Sequence, residues 1–437
     1  MRRTLGLFLA GMLANAAQAA DLLQVYRDAL ANDAQLAAAR AQLIALQERL
    51  PQGRAGLLPT IGVSGNTTWN DVQSVTDRQY NGHGYTLQLT QPLFRWQNIV
   101  QYDQSKLQVA QAEAQFATTR QDLALRVTQA YFDVLLAQDT VGVLETQKTA
   151  VTEQLESAKK NFEVGTTTIT DTHEAQARFD LTVAQLIAAQ NDLEVKRQAL
   201  RLIIGKEPEA LKALRSGVQL QRPQPENMQK WVEAAESGAY AVQVQQLALD
   251  IATMEMDKTR AGHYPTVDAV ATYGYSKSGT AVGVGAGGEV FTGAATTSST
   301  IGLQLNLPIY QGGFVSSRER EVAALRDKAF SDLESARRGA ALAARQAYLG
   351  VTSGLSQVSA LNQALVSSQS ALESNKLGYE VGVRINIDVL NAQQQVTATR
   401  RDLAKAKYDT LISQLRLKTA AGTLGDEDVQ ALNALLE

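Results

Sequence analysis

The chain has 437 residues, 45% of them hydrophobic, with 41 basic and 44 acidic side chains, a formal charge of −3 and no cysteine. Mixed signs without a basic block give no footprint for nucleic acid. The missing cysteines exclude disulfide stapling and a lipid anchor carried on a cysteine.

Met1, Arg2 and Arg3 precede an apolar stretch from Leu5 to Leu13 and then Ala17, Gln18 and Ala19. This reads as a secretory signal peptide over 1–20, cut near Ala19 or Ala20. Its loss removes two arginines and takes the formal charge from −3 to −5. No later apolar run reaches the ~18 residues of a membrane-spanning helix. A membrane crossing by this chain must therefore be a β-barrel, the other structure that satisfies every backbone polar group in lipid.

Residues 21–57 are expected to form a first helix, and 58–94 a pair of strands. In the first strand Ile61, Val63, Thr67 and Trp69 alternate with Gly62, Ser64 and Asn66; in the second Tyr85, Leu87 and Leu89 alternate with Thr86, Gln88 and Thr90. Runs of about 8–12 residues with this period suit tilted outer-membrane strands, apolar outward and polar toward a lumen. A half-buried soluble sheet has the same period.

Residues 95–204 follow as a long helical hairpin, since no proline lies between Pro92 and Pro208. A helix from about Gln97 to Phe162 would run on the order of 100 Å at 1.5 Å per residue. It is rich in Ala, Gln, Ser, Thr and Leu, too dilute in large apolar residues for a simple coiled-coil seam and suited to a wide, water-filled α-barrel. Pro208, Pro223 and Pro225 break the pattern in 205–238, read as a small mixed α/β insert outside the tube. A helix over 239–262 and a second strand pair over 263–310 come next. There Val267, Ala269, Ala271, Tyr273 and Tyr275 share one face, as do Ile301, Leu303, Leu305 and Leu307. A second long hairpin spans 311–421, its first helix running from about Phe314 to Gly378, and 422–437 closes the chain.

The second half repeats the first. Leu87 to Phe94 answers Leu303 to Tyr310, Ala130-Tyr131 answers Ala347-Tyr348, and Phe162 to Gly165 answers Tyr379 to Gly382. Each copy therefore reads strand, loop, strand, long helix, bend, helix. Four strands cannot close a barrel, as the smallest bacterial ones have about eight. The barrel must be shared by two or more copies, a number the pattern leaves open.

Leu22 to Tyr26, Leu58-Pro59-Thr60, Gln88 to Gln91, Ala130-Tyr131-Phe132, Leu305 to Gly313 and Gly378 to Gly382 together resemble the TolC-like outer-membrane channel family over nearly the whole mature length. The resemblance implies an α+β membrane protein. It would be a homotrimer with a single 12-stranded β-barrel (4 strands per chain) set in outer-membrane lipid. A 12-helix periplasmic α-barrel continues it, with a small mixed α/β equatorial insert. It also implies an exit duct for type I secretion or drug efflux, working with a periplasmic adaptor and an inner-membrane ABC or RND-type pump.

Comparing the two copies separates hairpin chemistry from special roles. Gly165 and Gly382 occur in both and are assigned to the bends, where glycine adopts angles other residues avoid. Asp171 and Asp388 also correspond, and Asp171, three residues before Glu174, is expected to cap its helix in a capping box. Tyr379 stands where the first copy has Phe162, Arg384 where it has Thr167, and Gln154 where the second copy has Ala371. By the resemblance, Tyr379 bonds Gln154 and Arg384 pairs with Asp171, holding the tunnel entrance shut. Asp388 likewise resembles the upper aspartate of an entrance acidic ring, with Asn391 in place of a second aspartate. One acidic ring implies weaker cation selectivity than two.

Gly283 to Gly288 has dinucleotide-fingerprint spacing but leads toward another strand, not a helix, and reads as a loop. His83, His173 and His263 are scattered without ligand spacing, so neither a metal nor a cofactor is expected. No nucleophile triad or paired-carboxylate pocket presents itself, and the chain is not expected to be an enzyme. The rival reading is a non-channel periplasmic coiled-coil structural or adaptor protein. Heat-modified migration and detergent-dependent extraction separate the two.

Overall fold

The computed structural model describes residues 20–73, 78–215, 217–278, 283–284, 290–291 and 295–437. The signal-peptide reading lies outside them. The chain falls into two compact units. One takes in the described residues up to Arg40 with Phe116–Val242 and Arg337–Glu437, the other Ala41–Gln115 with Gln243–Ala336.

In the second unit, strands β1 (Thr60–Val72), β2 (Arg78–Phe94), β3 (Thr266–Lys277) and β6 (Ala295–Asn306) form an antiparallel sheet in the order β1-β2-β3-β6. Register is continuous where the alternation predicts it, with Val63 opposite Leu87, Leu87 opposite Tyr273 and Ala269 opposite Leu303. Tyr85 stacks on its cross-strand partner Tyr275 with ring centroids 5.6 Å apart. The apolar face has no protein cover: Ile301 is 88% exposed, Leu303 74% and Val63 74%. Such a face in contact with water would be strongly unfavourable, whereas against hydrocarbon it costs nothing. β1 and β6 each present one unpaired edge.

A two-residue strand β4 (Gly283–Val284) pairs with β5 (Val290–Phe291) inside the segment read as a plain Gly-rich loop. Among the described residues no helix follows it before Phe314, so the fingerprint spacing has no helix to open. At the foot of the sheet, Arg95 donates from Nε and Nη2 to the two carboxylate oxygens of Asp268 at 2.8 and 2.6 Å. Asp268 is buried beneath that guanidinium and its strand neighbours. A β-bulge between Pro92 and Phe94 turns the chain just before this pair, where proline cannot donate to the ladder.

The helices are α1 (Leu22–Asn32), α2 (Ala34–Gln47), α3 (Arg49–Ala55), α4 (Trp96–Glu163), α5 (Ile169–Ile204), α6 (Met228–Gly238), α7 (Tyr240–Arg260), α8 (Phe314–Glu380), α9 (Asn386–Ala420) and α10 (Asp426–Asn433). α4 has 68 residues and α8 has 67, matching the proline-free runs. Among the described residues no helix is long and apolar enough to cross a membrane.

The core of the first unit gathers where α1, α4, α5, α9 and α10 meet, around Leu22, Leu123, Tyr131, Phe132, Leu200, Ile204, Leu411 and Val429. Burying each large side chain contributes about 1.5–3 kcal/mol. Phe132 stacks on Tyr408 at 5.3 Å, and the Tyr131 hydroxyl donates to the Lys212 carbonyl at 2.8 Å. Its counterpart in the repeat, Tyr348, packs instead near Trp231 and Leu417. Early and late segments clasp: Tyr26 donates to Asp426 Oδ1 at 3.0 Å, and the Leu23 N–H to Asn433 Oδ1 at 3.2 Å, a span of 410 residues. The insert expected to be mixed α/β holds α6, and its strands shrink to single bridges, Ala20 with Leu211 and Leu214 with Leu436.

Candidate functional site

The two long hairpins turn in the same way. Gly165 has φ +76° and Gly382 φ +77°, the left-handed conformation that ends a helix without a Cβ clash. The Thr166 N–H donates to the Asn161 carbonyl at 2.8 Å and the Gly165 N–H to the Phe162 carbonyl at 3.0 Å. Val383 donates to Gly378 at 2.8 Å and Gly382 to Tyr379 at 3.1 Å, the same Schellman pattern one repeat later.

The helices that follow start differently. Thr168, rather than Asp171, is the N-cap of α5. Its hydroxyl accepts from the Asp171 N–H, while the Asp171 carboxylate accepts from the Thr168 N–H and hydroxyl, each at 3.0 Å. Asp171 is thus the third residue of the capping box, because the threonine hydroxyl sits three residues ahead of it. In the second copy the cap position is Ile385, which has no side-chain oxygen to offer. Asp388 then lies 3.6 Å from Arg384, which replaces Thr167. Both partners remain partly exposed, so this pair contributes only ~0–1 kcal/mol.

The pairings implied by the resemblance are therefore not those within one chain. Gln154 donates to Asn386 Oδ1 rather than to Tyr379. Tyr379 accepts from Asn161 Nδ2 at 3.4 Å. Arg384 turns to Asp388, four residues along the chain, rather than to Asp171. Arg178 makes a third link between hairpins, donating to Asn391 at 3.0 Å and to Gln394. Asn386 is almost wholly buried, and its Nδ2, like the hydroxyls of Thr167 and Thr172, has no hydrogen-bond partner among the described residues.

Asn161, Arg178 and Asn386 were missed from the sequence although the signal was present. They stand where the other copy has Gly378, Gln395 and Ile169, so a full copy-against-copy comparison marks each of them. Gly378 has its own purpose: a Cβ there would lie 2.7 Å from Arg384 Cγ, so the small residue clears the path of the guanidinium stem. Around the bends Val164, Val381, Val383 and Ile385 are all exposed, an apolar tip on both hairpins. Among the described residues no group of three or more His, Asp or Glu side chains could hold a metal ion.

Comparison with known proteins gives one answer. The family described as outer membrane efflux protein matches residues 25–206 and 231–423. The chain is 32% identical over 440 residues to the outer membrane protein TolC of Vibrio cholerae, covering 100% of this chain and 99% of that one. It is 31% identical over 434 residues to the alkaline protease secretion protein AprF of Pseudomonas aeruginosa, covering 97% and 89%. Its fold matches the Campylobacter jejuni CmeC outer membrane channel with a TM-score of 0.80 at 16% identity, covering 95% and 90%.

Proposed function

Since this chain belongs to the outer membrane efflux protein family and is an outer-membrane efflux or secretion channel, we propose that three copies build one duct opened by a periplasmic adaptor and an inner-membrane pump. The observation that carries the reading is the sheet, with four strands, two unpaired edges and an uncovered apolar face. Open edges are not tolerated in lipid, so β1 of one copy pairs with β6 of the next. Three copies of four strands give twelve, the number the family resemblance implies. The long hairpins of 95–204 and 311–421 line the tunnel, and 205–238 with 422–437 form an equatorial belt. The signal peptide directs export and is removed. The duct itself has no catalytic role, and the energy for transport comes from the pump.

The bends form the entrance. Gln154, Asp171, Tyr379 and Arg384 hold it shut, through the hydrogen bonds described and through Arg384 turning to the Asp171 of a neighbouring copy. Charge-assisted pairs of this kind are directional, yet at ~0–1 kcal/mol each when exposed they yield to a partner. Asp388 supplies a carboxylate ring at the mouth. The exposed Val164, Val381 and Val383 give the adaptor an apolar surface to grip.

The test is conductance in a planar bilayer. Inserted wild-type protein should give a small single-channel conductance that rises severalfold in Tyr379→Phe, Arg384→Ser. An unchanged conductance in that double variant refutes the latch. No conductance from inserted protein of either kind refutes the duct and returns the long helices to a coiled-coil adaptor.

A further inference from the structure

The proposed function puts Asp388 at the tunnel mouth, and a role for Arg178 beside it rests on that reading. Asp388 and Asn391 are three residues apart on α9, so they are neighbours on one side of the helix, separated by about 4.5 Å of rise. Arg178, on α5, donates from Nη2 to Asn391 Oδ1 at 3.0 Å and from Nη1 to Gln394 Oε1. Its planar fork is thereby held against the strip of α9 that carries Asp388.

Two carboxamides accept these hydrogen bonds, but a carboxamide carries no charge. Among the described residues no carboxylate lies within ion-pair distance of Arg178, although Glu174 precedes it by one turn of α5. Asp388, by contrast, already has the Arg384 guanidinium at 3.6 Å. Arg178 and Arg384 thus both stand beside the strip that carries Asp388, and exposed charges closer than a Debye length, ~8 Å at physiological salt, act on a passing ion together.

We propose that Arg178 is a specificity-determining residue of the entrance, opposing Asp388, so that ion preference is set by the difference between the two rather than by the carboxylate alone. Arginine suits the task, since a guanidinium stays charged at every accessible pH and its fork can be fixed by two acceptors at once. Carboxylate groups on passing cargo then meet a donor at the level where a second acidic ring would repel them.

The experiment measures reversal potentials of the full-length protein in planar bilayers across a KCl gradient. Wild type is compared with Arg178→Gln, Arg178→Lys and Asp388→Asn. The glutamine variant, which keeps hydrogen-bonding capacity without charge, should raise the cation-to-anion permeability ratio severalfold. The lysine variant should keep the wild-type ratio, and Asp388→Asn should lower it. If Arg178→Gln fails to insert, Arg178→Met provides the same reading. A conducting Arg178→Gln or Arg178→Met channel with the wild-type ratio overturns the proposal and leaves Arg178 as a staple between α5 and α9. Absence of conductance from every inserted protein, wild type included, overturns the duct reading and this proposal with it.

Discussion

The bend after α4 and the bend after α8 have the same backbone and different side-chain chemistry. Both close on a left-handed glycine with the same pair of carbonyl acceptors. The two residues at the second and third positions past the glycine, Thr167 and Thr168 against Arg384 and Ile385, then separate them. Thr168 offers a hydroxyl and draws Asp171 into a capping box, while Ile385 offers none and leaves Asp388 to Arg384. A duplicated unit can thus keep its scaffold and give two equivalent aspartates different partners by changing the cap and the residue before it.

The strongest way to break this equivalence is at the glycines. Gly165→Val and Gly382→Val force a β-branched residue into positive φ, and each should destabilise its bend by about 2 kcal/mol. Hydrogen exchange at the last turn of α4 and of α8 should accelerate equally in the two variants. Clearly unequal acceleration would show that the bends are not equivalent.

The cap exchange is next in size. Thr168→Ala should weaken the first turn of α5 by about 1 kcal/mol, whereas Ile385→Ala should leave the first turn of α9 unchanged. Ile385→Thr should recruit Asp388 as a capping partner, protect that turn and loosen Arg384, read out as hydrogen exchange alongside channel conductance. If Ile385→Thr changes neither, the cap does not decide what the aspartate does.

The pH dependence is smaller. Burial raises the carboxyl pKa of Asp139 above its ordinary value, although the Tyr408 hydroxyl donating at 2.8 Å works the other way. The folded chain then holds this proton more tightly than the unfolded one. The stabilisation from protonation is complete below the ordinary aspartate pKa and is lost as pH rises through the raised value. Asp139→Asn should flatten that part of the stability profile. A profile unchanged from wild type would place the slope on Asp122 and Asp133, which burial shifts the same way.

Smallest in stability is Gly378→Ala. A gain of about 1 kcal/mol in helix propensity is offset by displacing Arg384, so unfolding should barely change while conductance through the entrance does. Unaltered conductance would mean that the Arg384 stem does not need the space.

Much of this fold was legible in the residues themselves. The period-2 runs at Ile61 and Val63 and from Ile301 to Leu307 give the strand faces, because lipid and lumen impose opposite demands on alternate side chains. The lack of proline after Pro92 and after Pro308 gives the long helices. The partners at the bends were harder to read. Whether Asp388 caps a helix or meets a guanidinium depends on the oxygen missing from Ile385, and whether Arg384 can approach depends on the missing Cβ of Gly378. The copy-against-copy comparison marks Arg178, which stands where the other copy has Gln395, but its partners follow only from the packing of α5 against α9. The clustering of Tyr131, Phe132 and Tyr408 likewise needs the two hairpins side by side.

The clasp between α1 and α10 sets a timetable. Tyr26 waits for Asp426 and the Leu23 amide waits for Asn433, across 400 and 410 residues. A chain that emerges N-terminus first, as every chain does from the ribosome, therefore cannot seal this core until almost all of it is out. Until then the first helix keeps its apolar face, Leu22, Val25, Tyr26 and Ala29, without the partners that bury it.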